Sequence, residues 1–261
     1  MVDRFAAHTE ENREEVERLA AIAKGWITWQ ARDITVECRE RCGAQGLFPA
    51  NGIADLPANI EGGITAEGDN LVIWVKAASE MVFGHETAKP DTVRPGDTGD
   101  LMDLPFLQSR LAHAEAIWQT RARAALRGGP SGDPLGRWNV TSEAALEMVS
   151  AHARLKAAEA FTAAADSTAD PRTRRLLHSL CRLFLLRTLR DHTGDLLAEG
   201  HLTPDQVRAL PQTLDTVVAD LAPHMTTLVD AFDFPTERLS AIPIASGGSI
   251  GGTAGAGAGG S

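Results

Sequence analysis

Two short segments of this chain bring together residue types that take part in ligand binding or proton transfer. Thr35–Gly46 ends in the glycine-containing run Cys42–Gly46, and Thr65–Asn70 places Glu67 beside a glycine. A glycine turn lets backbone amides approach a ligand closely, and phosphates are common ligands of such turns. A carboxylate in a glycine-bordered turn is able to swing toward a substrate and remove a proton. The two segments therefore form the candidate site.

Neither segment is specific by its own pattern. On pattern alone, Glu67 reads as an ordinary loop carboxylate, and Asp69 or Asn70 reads as the N-cap of a following helix. Cys38 and Cys42 are four residues apart, but they lie on an apolar helix face with no second ligand pair nearby. We therefore interpret both cysteines as core residues and predict no metal site.

The elements that must position these segments are helices, because apolar residues recur at spacings of three and four. A long helix is predicted from about Thr9 to Cys42, with Gly25 as a candidate bend or junction. The glycines after Cys42 end this helix. A loop rich in Gly, Pro and Asn is predicted over Leu47–Gly68, and a second helix then runs to about Phe83. The apolar stripe of the first helix consists of Val16, Leu19, Ala23, Ile27, Ala31, Ile34, Cys38 and Cys42.

The rest of the chain also reads as helices, with almost no alternating strand pattern. Thr203 followed by Pro204 is a good N-cap and first-turn pair. The expected fold class is therefore all-α. Further helices are predicted near Leu101–Arg127, Thr141–Ala165, Pro171–Leu197, Thr203–Ala219 and Pro223–Phe232.

Composition suggests a division into two helical regions. Residues 85–100 hold two prolines, two glycines and several charges, and we interpret them as a linker. The last residues are almost entirely Gly, Ala, Ser and Thr, which predicts a disordered tail. The predicted regions are a helical region at 1–84, the linker at 85–100, a second helical domain at 101–245 and the tail at 246–261.

Charge and hydropathy exclude several classes of partner. The net charge of -10 and the pI near 5.3 argue against nucleic acid, whose phosphates attract basic surfaces. No apolar run reaches the roughly 18–20 residues that span a bilayer, and the N-terminus is charged. Three cysteines do not make a disulfide framework. We expect an acidic cytoplasmic protein without a membrane or nucleic-acid partner.

Taken in order, the two candidate segments resemble the acyl-CoA oxidases, relatives of the acyl-CoA dehydrogenases. In that family a helix ending in Arg-Glu-x-Cys-Gly-Gly-x-Gly is followed by Thr-x-Glu-Gly-Asp-Asn. Arg39–Gly46 and Thr65–Asn70 match this pattern in order and spacing. Leu228–Pro235 resembles the Val-Asp-Ala-Phe segment near the family's C-terminus. The resemblance covers residues 18–245.

The resemblance implies a fold and a set of residue roles. The fold is a helical bundle of the acyl-CoA dehydrogenase C-terminal type, followed by a second helical domain of the acyl-CoA oxidase type. Glu67 matches the base that abstracts the α-proton of an acyl thioester while hydride leaves the β-carbon for FAD. Ala44 replaces the family's second glycine, and Leu47 replaces an aromatic residue. The implied cofactor-binding residues are Gly43, Ala44, Gln45, Gly46, Gly68, Asp69 and Asn70.

The resemblance also implies a partner. In the family an N-terminal helical domain and a middle β domain supply most of the flavin site, and the resemblance implies that both are missing here. The implied protein is a subunit of a heteromeric, two-fold symmetric FAD-dependent acyl-CoA oxidase, whose flavin is held mainly by a chain resembling the N-terminal half. Its substrate would be an acyl-CoA or an acyl-carrier protein. The first helix should then leave apolar surface uncovered around Ile22, Trp26, Trp29 and Ile34.

Two alternatives remain at this point. The assembled enzyme could be a dehydrogenase that passes electrons to a carrier protein instead of oxygen. The chain could also be a non-catalytic structural subunit that keeps the shape of the family without its chemistry. The intact pair Glu67 and Gly68 argues against the structural subunit, because a scaffold has no need of a base.

Overall fold

The computed structural model describes residues 13–84 and 99–247, and every regular element within these ranges is helical. The predicted all-α fold class is therefore confirmed. Three predictions lie outside the described residues, wholly or for the most part. They are the helix start near Thr9, the linker at 85–100 and the tail at 246–261. No helix in the described ranges is long and apolar enough to cross a bilayer.

The described residues form ten α-helices, which are distributed over two compact units. The first unit comprises Met1–Ala23 and Leu71–Met225, and the second comprises Lys24–Asn70 and Thr226–Ser261. Short 3-10 helices cover Gly43–Leu47, Pro49–Asn51 and Ala222–His224. The α-helices in the described residues are α1 (Arg13–Arg41), α2 (Leu56–Thr65), α3 (Asn70–Phe83), α4 (Leu104–Gly128), α5 (Pro134–Ser167), α6 (Pro171–Arg190), α7 (Thr193–Ala198), α8 (Pro204–Leu221), α9 (Met225–Asp230) and α10 (Thr236–Ser240).

The predicted and observed helices differ in several places. Leu47–Gly68, predicted as a loop, contains α2, which starts with a proline in its first turn and buries Ile64. The predicted helix Pro171–Leu197 is broken after Arg190, where Asp191 and the buried His192 close the end of α6 through bonds to carbonyls three residues back. Gly25 marks no junction, because α1 continues through it.

Side-chain caps fix where the long helices of the first unit begin. Asp103, Asp133 and Asp170 accept hydrogen bonds from backbone amides three residues later, at 3.1, 2.8 and 2.7 Å. Thr203 caps α8 as predicted, and Gln206 completes a reciprocal capping box. Each cap satisfies an N–H that the helix leaves unpaired. The helix α5 therefore starts at Pro134, ahead of the predicted Thr141.

The core of the first unit lies where α4, α5 and α6 contact one another, with α8 packed on α6. Leu107, Leu111, Met148 and Leu185 are at most 1% exposed there. Burying side chains of this size stabilises a fold by about 1.5–3 kcal/mol each, which makes this three-helix contact the main source of stability in the unit.

The apolar stripe of α1 is buried near its start and exposed toward its end. Val16 is buried, whereas Ile27 and Ile34 are 53% and 60% exposed. The prediction of uncovered surface is confirmed at Ile34 but wrong at Ile22, which is 1% exposed and whose carbonyl accepts the indole N–H of Trp74 at 3.1 Å. The interpretation of the cysteines as core is wrong for Cys38, which is exposed.

Three histidines of the first unit, His113, His192 and His201, have pKa values below the ordinary value, mainly because they are buried. The ring centroids of His113 and His201 lie 4.0 Å apart. The buried Arg110 donates to the backbone oxygen of His201 at 2.7 Å. A proton on His113 or His201 would therefore add positive charge beside this guanidinium.

Acidification is expected to destabilise the folded chain through these histidines. Their pKa values rise to about 6.5 on unfolding, so the unfolded state binds more protons below that pH. The contribution of these histidines to the free energy of unfolding is therefore fully present above a pH of about 6.5, and it is lost as the pH falls below that value. Urea-unfolding midpoints at neutral and mildly acidic pH measure the loss. His113→Leu should reduce the pH dependence of the midpoint. His178→Leu is the control and should leave this dependence unchanged, because His178 lies nearer the surface, beside Asp166. Equal dependence in wild type and His113→Leu would contradict the assignment.

Candidate active site

In the second unit the chain runs along α1, reverses, and returns along α2. Glu61 of α2 lies 3.8 Å from Arg32 of α1, and a Cβ at Gly63 would lie 3.7 Å from the methyl group of Thr28. The two helices are thus antiparallel. Since a helix rises 1.5 Å per residue, the level of Lys24 and the end of α1 are about 25 Å apart. The turn at 66–69, here called the Glu67 turn, therefore lies near the level of Lys24, whereas the glycine turn at 42–46 lies at the end of α1.

Glu67 occupies the turn between α2 and α3, and its side chain is exposed. Among the described residues, none forms a hydrogen bond with its carboxylate. Gly68 follows with a φ of 100°, a left-handed conformation that favours glycine and lets the chain turn sharply. A base kept away from water is the expectation for proton abstraction, and this chain alone leaves Glu67 in contact with solvent. A covering surface is needed to complete such a site.

Asn70 ties the start of α3 to α1. Its side chain is 1% exposed, and its Nδ2 donates to Thr28 Oγ1 at 2.8 Å and to the backbone oxygen of Gly25 at 3.3 Å. The amide of Asn70 is thus occupied by contacts within the chain. Its predicted role as a flavin contact stays a prediction, and the structure gives it an anchoring role that the sequence did not suggest.

Lys24 holds the same turn from its other side. Its Nζ donates to the backbone oxygens of Ile64 and Gly68 at 3.2 and 2.5 Å, and to Asn70 Oδ1 at 2.7 Å. Sequence reasoning missed this residue. The available signal was a lysine within the apolar stretch of α1, where a charge needs partners.

The glycine turn presents an open backbone edge at the end of α1. Gly43 has a φ of 56° and is exposed, as is Ala44, while Gln45 is half-buried. Gly46 is buried, and a Cβ there would lie 2.4 Å from the backbone oxygen of Arg39, which excludes any larger residue. Gly46 thus lies against the backbone of α1, while Gly43 and Ala44 are the exposed residues of the turn.

Asn51 fixes the shape of this turn. It is 2% exposed, and its Nδ2 donates to the Gln45 backbone oxygen at 2.8 Å and to Gln45 Oε1 at 3.3 Å. Its Oδ1 accepts the backbone N–H of Ile244 at 3.0 Å, which joins the C-terminal segment to the turn. Sequence reasoning missed Asn51, whose one signal is the tendency of loop asparagines to bond backbone groups.

The third predicted motif, Leu228–Pro235, lies at the surface of the second unit. It covers the end of α9 and the turn that follows, where Asp233 has a φ of 49°. Phe232 and Phe234 are both largely exposed. These aromatic side chains are available to another chain.

The glycine turn is not enclosed by the residues that the structure describes. A flavin ring needs a shaped, largely apolar cavity with fixed donors around it. A Cβ at Gly43 would meet no atom within 4 Å, so the turn is open on that side. A groove of about 800 Å³ lies in the first unit between Val72, Phe83, Leu126 and Trp138, and none of the predicted flavin residues lines it. Within the described ranges, no group of three or more His, Cys, Asp or Glu side chains could hold a metal ion.

Two family models match the chain over separate ranges. The model for the acyl-CoA oxidase C-alpha1 domain matches residues 2–82, and the model for acyl-CoA oxidase matches residues 111–245. The helical fold and these two matches place the chain in the class of C-terminal helical regions of acyl-CoA oxidoreductases. The second match covers more than half of the chain, which therefore belongs to the acyl-CoA oxidase family.

Curated relatives of the chain are much longer than it is. Peroxisomal acyl-coenzyme A oxidase 1 of Homo sapiens is 24% identical over 253 residues, which is 87% of this chain and 38% of the relative. The putative peroxisomal acyl-coenzyme A oxidase 1.2 of Arabidopsis thaliana is 24% identical over 237 residues, covering 84% and 36%. The chain thus spans well under half the length of these relatives.

Solved structures confirm the fold. Acyl-CoA oxidase 1 from Yarrowia lipolytica superimposes with a TM-score of 0.81 at 21% identity, covering 94% of this chain and 40% of that one. An acyl-CoA oxidase from Lycopersicon esculentum gives 0.80 at 20% identity with the same coverage. Acyl-CoA oxidase-1 of Caenorhabditis elegans, complexed with FAD and ATP, gives 0.71 at 19% identity, covering 90% and 38%.

Proposed function

We propose that this chain is the base-bearing subunit of a heteromeric FAD-dependent acyl-CoA oxidase, in which Glu67 removes the α-proton of an acyl thioester. The observation that carries the proposal is the Glu67 turn. Lys24 Nζ donates to the backbone oxygens of Ile64 and Gly68 on either side of Glu67, while no described residue bonds the carboxylate. Asn70 anchors the end of the turn to α1. The backbone around Glu67 is thus held in place while its carboxylate oxygens stay open to a substrate.

The chemistry requires two groups to act on one substrate. Glu67 accepts the α-proton, and the electrons of that C–H bond form the α,β double bond as hydride leaves the β-carbon. A bound FAD would supply the acceptor for this hydride, and oxygen would be the final oxidant, released as peroxide. The contribution of this chain is to hold the carboxylate in place and, once covered, to keep water from it.

A partner chain completes the site in this proposal. It would resemble the N-terminal half of the longer relatives and hold most of the FAD, a cofactor that the C. elegans neighbour contains. In this proposal the turn residues Gly43, Ala44 and Gln45 would contact the cofactor near the end of α1. Gly68 and Asp69 would lie beside the base, near the level of Lys24. Ile27 and Ile34, exposed between these levels, suit a covering surface. The complex is expected to be doubled by two-fold symmetry.

Co-expression with such a partner tests the proposal. The chain alone is expected to bind FAD weakly or not at all, because it supplies an edge without a cavity. The complex should elute as one species in size-exclusion chromatography, absorb at flavin wavelengths and oxidise acyl-CoA in air with release of peroxide. A yellow, active protein from this chain alone would contradict the heteromer.

The same preparation separates the oxidase from its alternative. Reduced flavin that persists in air and turns over only with an electron carrier would favour a dehydrogenase. The cytoplasmic location also stays a prediction, since the relatives named above are described as peroxisomal. Localisation of a fluorescently tagged chain would decide it.

A further inference from the structure

The ammonium group of Lys24 is surrounded by acceptors on three sides. The backbone oxygen of Ile64 belongs to the last turn of α2, that of Gly68 follows the base, and Asn70 Oδ1 begins α3. An ammonium has three N–H donors, so its hydrogen-bonding capacity is filled by these three groups. The acceptors lie before and after Glu67 in the chain, which means that one side chain holds both ends of the turn.

The three contacts differ in what they satisfy. The Ile64 oxygen is among the last four carbonyls of α2, which have no partner within the helix, and a positive charge is favourable at that end. The Gly68 oxygen belongs to the left-handed residue that redirects the chain. Asn70 is buried and bonded to α1 through its other side-chain atom as well. Lys24 therefore joins the end of α2, the turn and the start of α3 at one point.

We propose that Lys24 is a positioning residue that sets the direction of the Glu67 carboxylate by fixing the backbone on both sides of it. The inference rests on the proposed function of Glu67 as the base. Without the ammonium, the Asn70 bonds to Gly25 and Thr28 still hold α3 on α1, so the fold persists while the turn becomes free to move. A displacement of about 1 Å at a reacting group costs about 10²-fold in rate.

The three acceptors around Nζ select lysine over its nearest substitutes. The guanidinium of arginine is planar and points its donors in fixed directions within that plane, so it does not reproduce a pyramidal set of contacts. Methionine has a similar length and no donor. Lys24→Met thus removes the contacts with little change in volume, and Lys24→Arg keeps the charge but misplaces the donors.

The test uses the assembled enzyme and separates rate from binding. In Lys24→Met, kcat is expected to fall about 10- to 100-fold while KM changes by no more than a few-fold. In Lys24→Ala, added propylammonium should restore part of kcat, whereas tetramethylammonium, which has the charge but no N–H, should not. Lys156→Met, at an exposed lysine of α5, is the matched control and should keep wild-type kcat. Restoration by both ions, or by neither, overturns the proposal.

A second measurement keeps the inference distinct from the function on which it rests. Amide hydrogen exchange at residues 65–69 of the isolated chain should be faster in Lys24→Met than in wild type, and equal rates would overturn the anchoring. Faster exchange together with wild-type kcat would overturn the positioning role. If Lys24→Met does not fold, the same two readouts are applied to Lys24→Arg. The proposed function is tested separately with Glu67→Gln. A Glu67→Gln enzyme that stays active would contradict the proposed function and not the anchoring by Lys24.

Discussion

Replacing Glu67 with glutamine is expected to lower the desaturation rate of the assembled enzyme about 10²- to 10⁴-fold, the usual contribution of a positioned general base. The amide keeps the volume of the carboxylate but does not accept the α-proton. Folding should be unaffected, because the Glu67 side chain is exposed and its turn is held through backbone atoms and Asn70. Anaerobic stopped-flow reduction of the flavin by acyl-CoA measures the chemical step directly.

The control for this experiment is Glu61→Gln. Glu61 lies on α2, is half-exposed and is 3.8 Å from Arg32. Its substitution therefore removes a negative charge without changing the Glu67 turn. Both variants should retain flavin content and elute with the partner chain. A Glu67→Gln enzyme that reduces its flavin within a few-fold of the wild-type rate would remove Glu67 from the role of base.

The double substitution Ile27→Asp and Ile34→Asp is expected to weaken assembly with the partner chain by at least about 10²-fold. The two side chains are two helical turns apart on one face of α1 and are more than half exposed. Burial of an isoleucine contributes about 1.5–3 kcal/mol, and each 1.4 kcal/mol is a factor of ten in affinity. An unpaired carboxylate at a covered position adds a further desolvation cost.

The stability of the chain itself should change little, since neither isoleucine belongs to its core. Val218→Asp is the matched control, because Val218 is half-exposed on α8 in the first unit. Titration calorimetry with the purified partner, alongside thermal unfolding of the isolated chain, separates the two effects. Unchanged affinity in the double variant would place the interface elsewhere.

The sequence predicted most of the fold because long helices carry a clear signal. Apolar periodicity located α3, α4 and α8 closely, since each buries one face against neighbours. The signal failed for α2, whose two glycines and early proline read as loop, although burial of Ile64 and the return along α1 make it a helix. Periodicity also identified the apolar residues of α1 without saying whether this chain covers them.

The local structure of the candidate site could be predicted only in part. The motifs located Glu67 and the glycine turn through their order along the chain. The residues that hold them were missed, because Lys24 and Gly68 are 44 positions apart and Asn51 and Ile244 are 193 apart. Such contacts depend on how segments distant in the sequence pack together, and no local pattern reports them.

The antiparallel pair of α1 and α2 has a consequence for sequence variation among natural homologues. One residue inserted in α1 after Lys24 would rotate the glycine turn by about 100° and advance it by 1.5 Å relative to the Glu67 turn. Deletions in α2 would shift the Glu67 turn in the same way. Length changes between positions 24 and 70 should therefore concentrate in the connection at 52–55, where loop backbone can absorb them without altering either helix or the turn that carries Glu67.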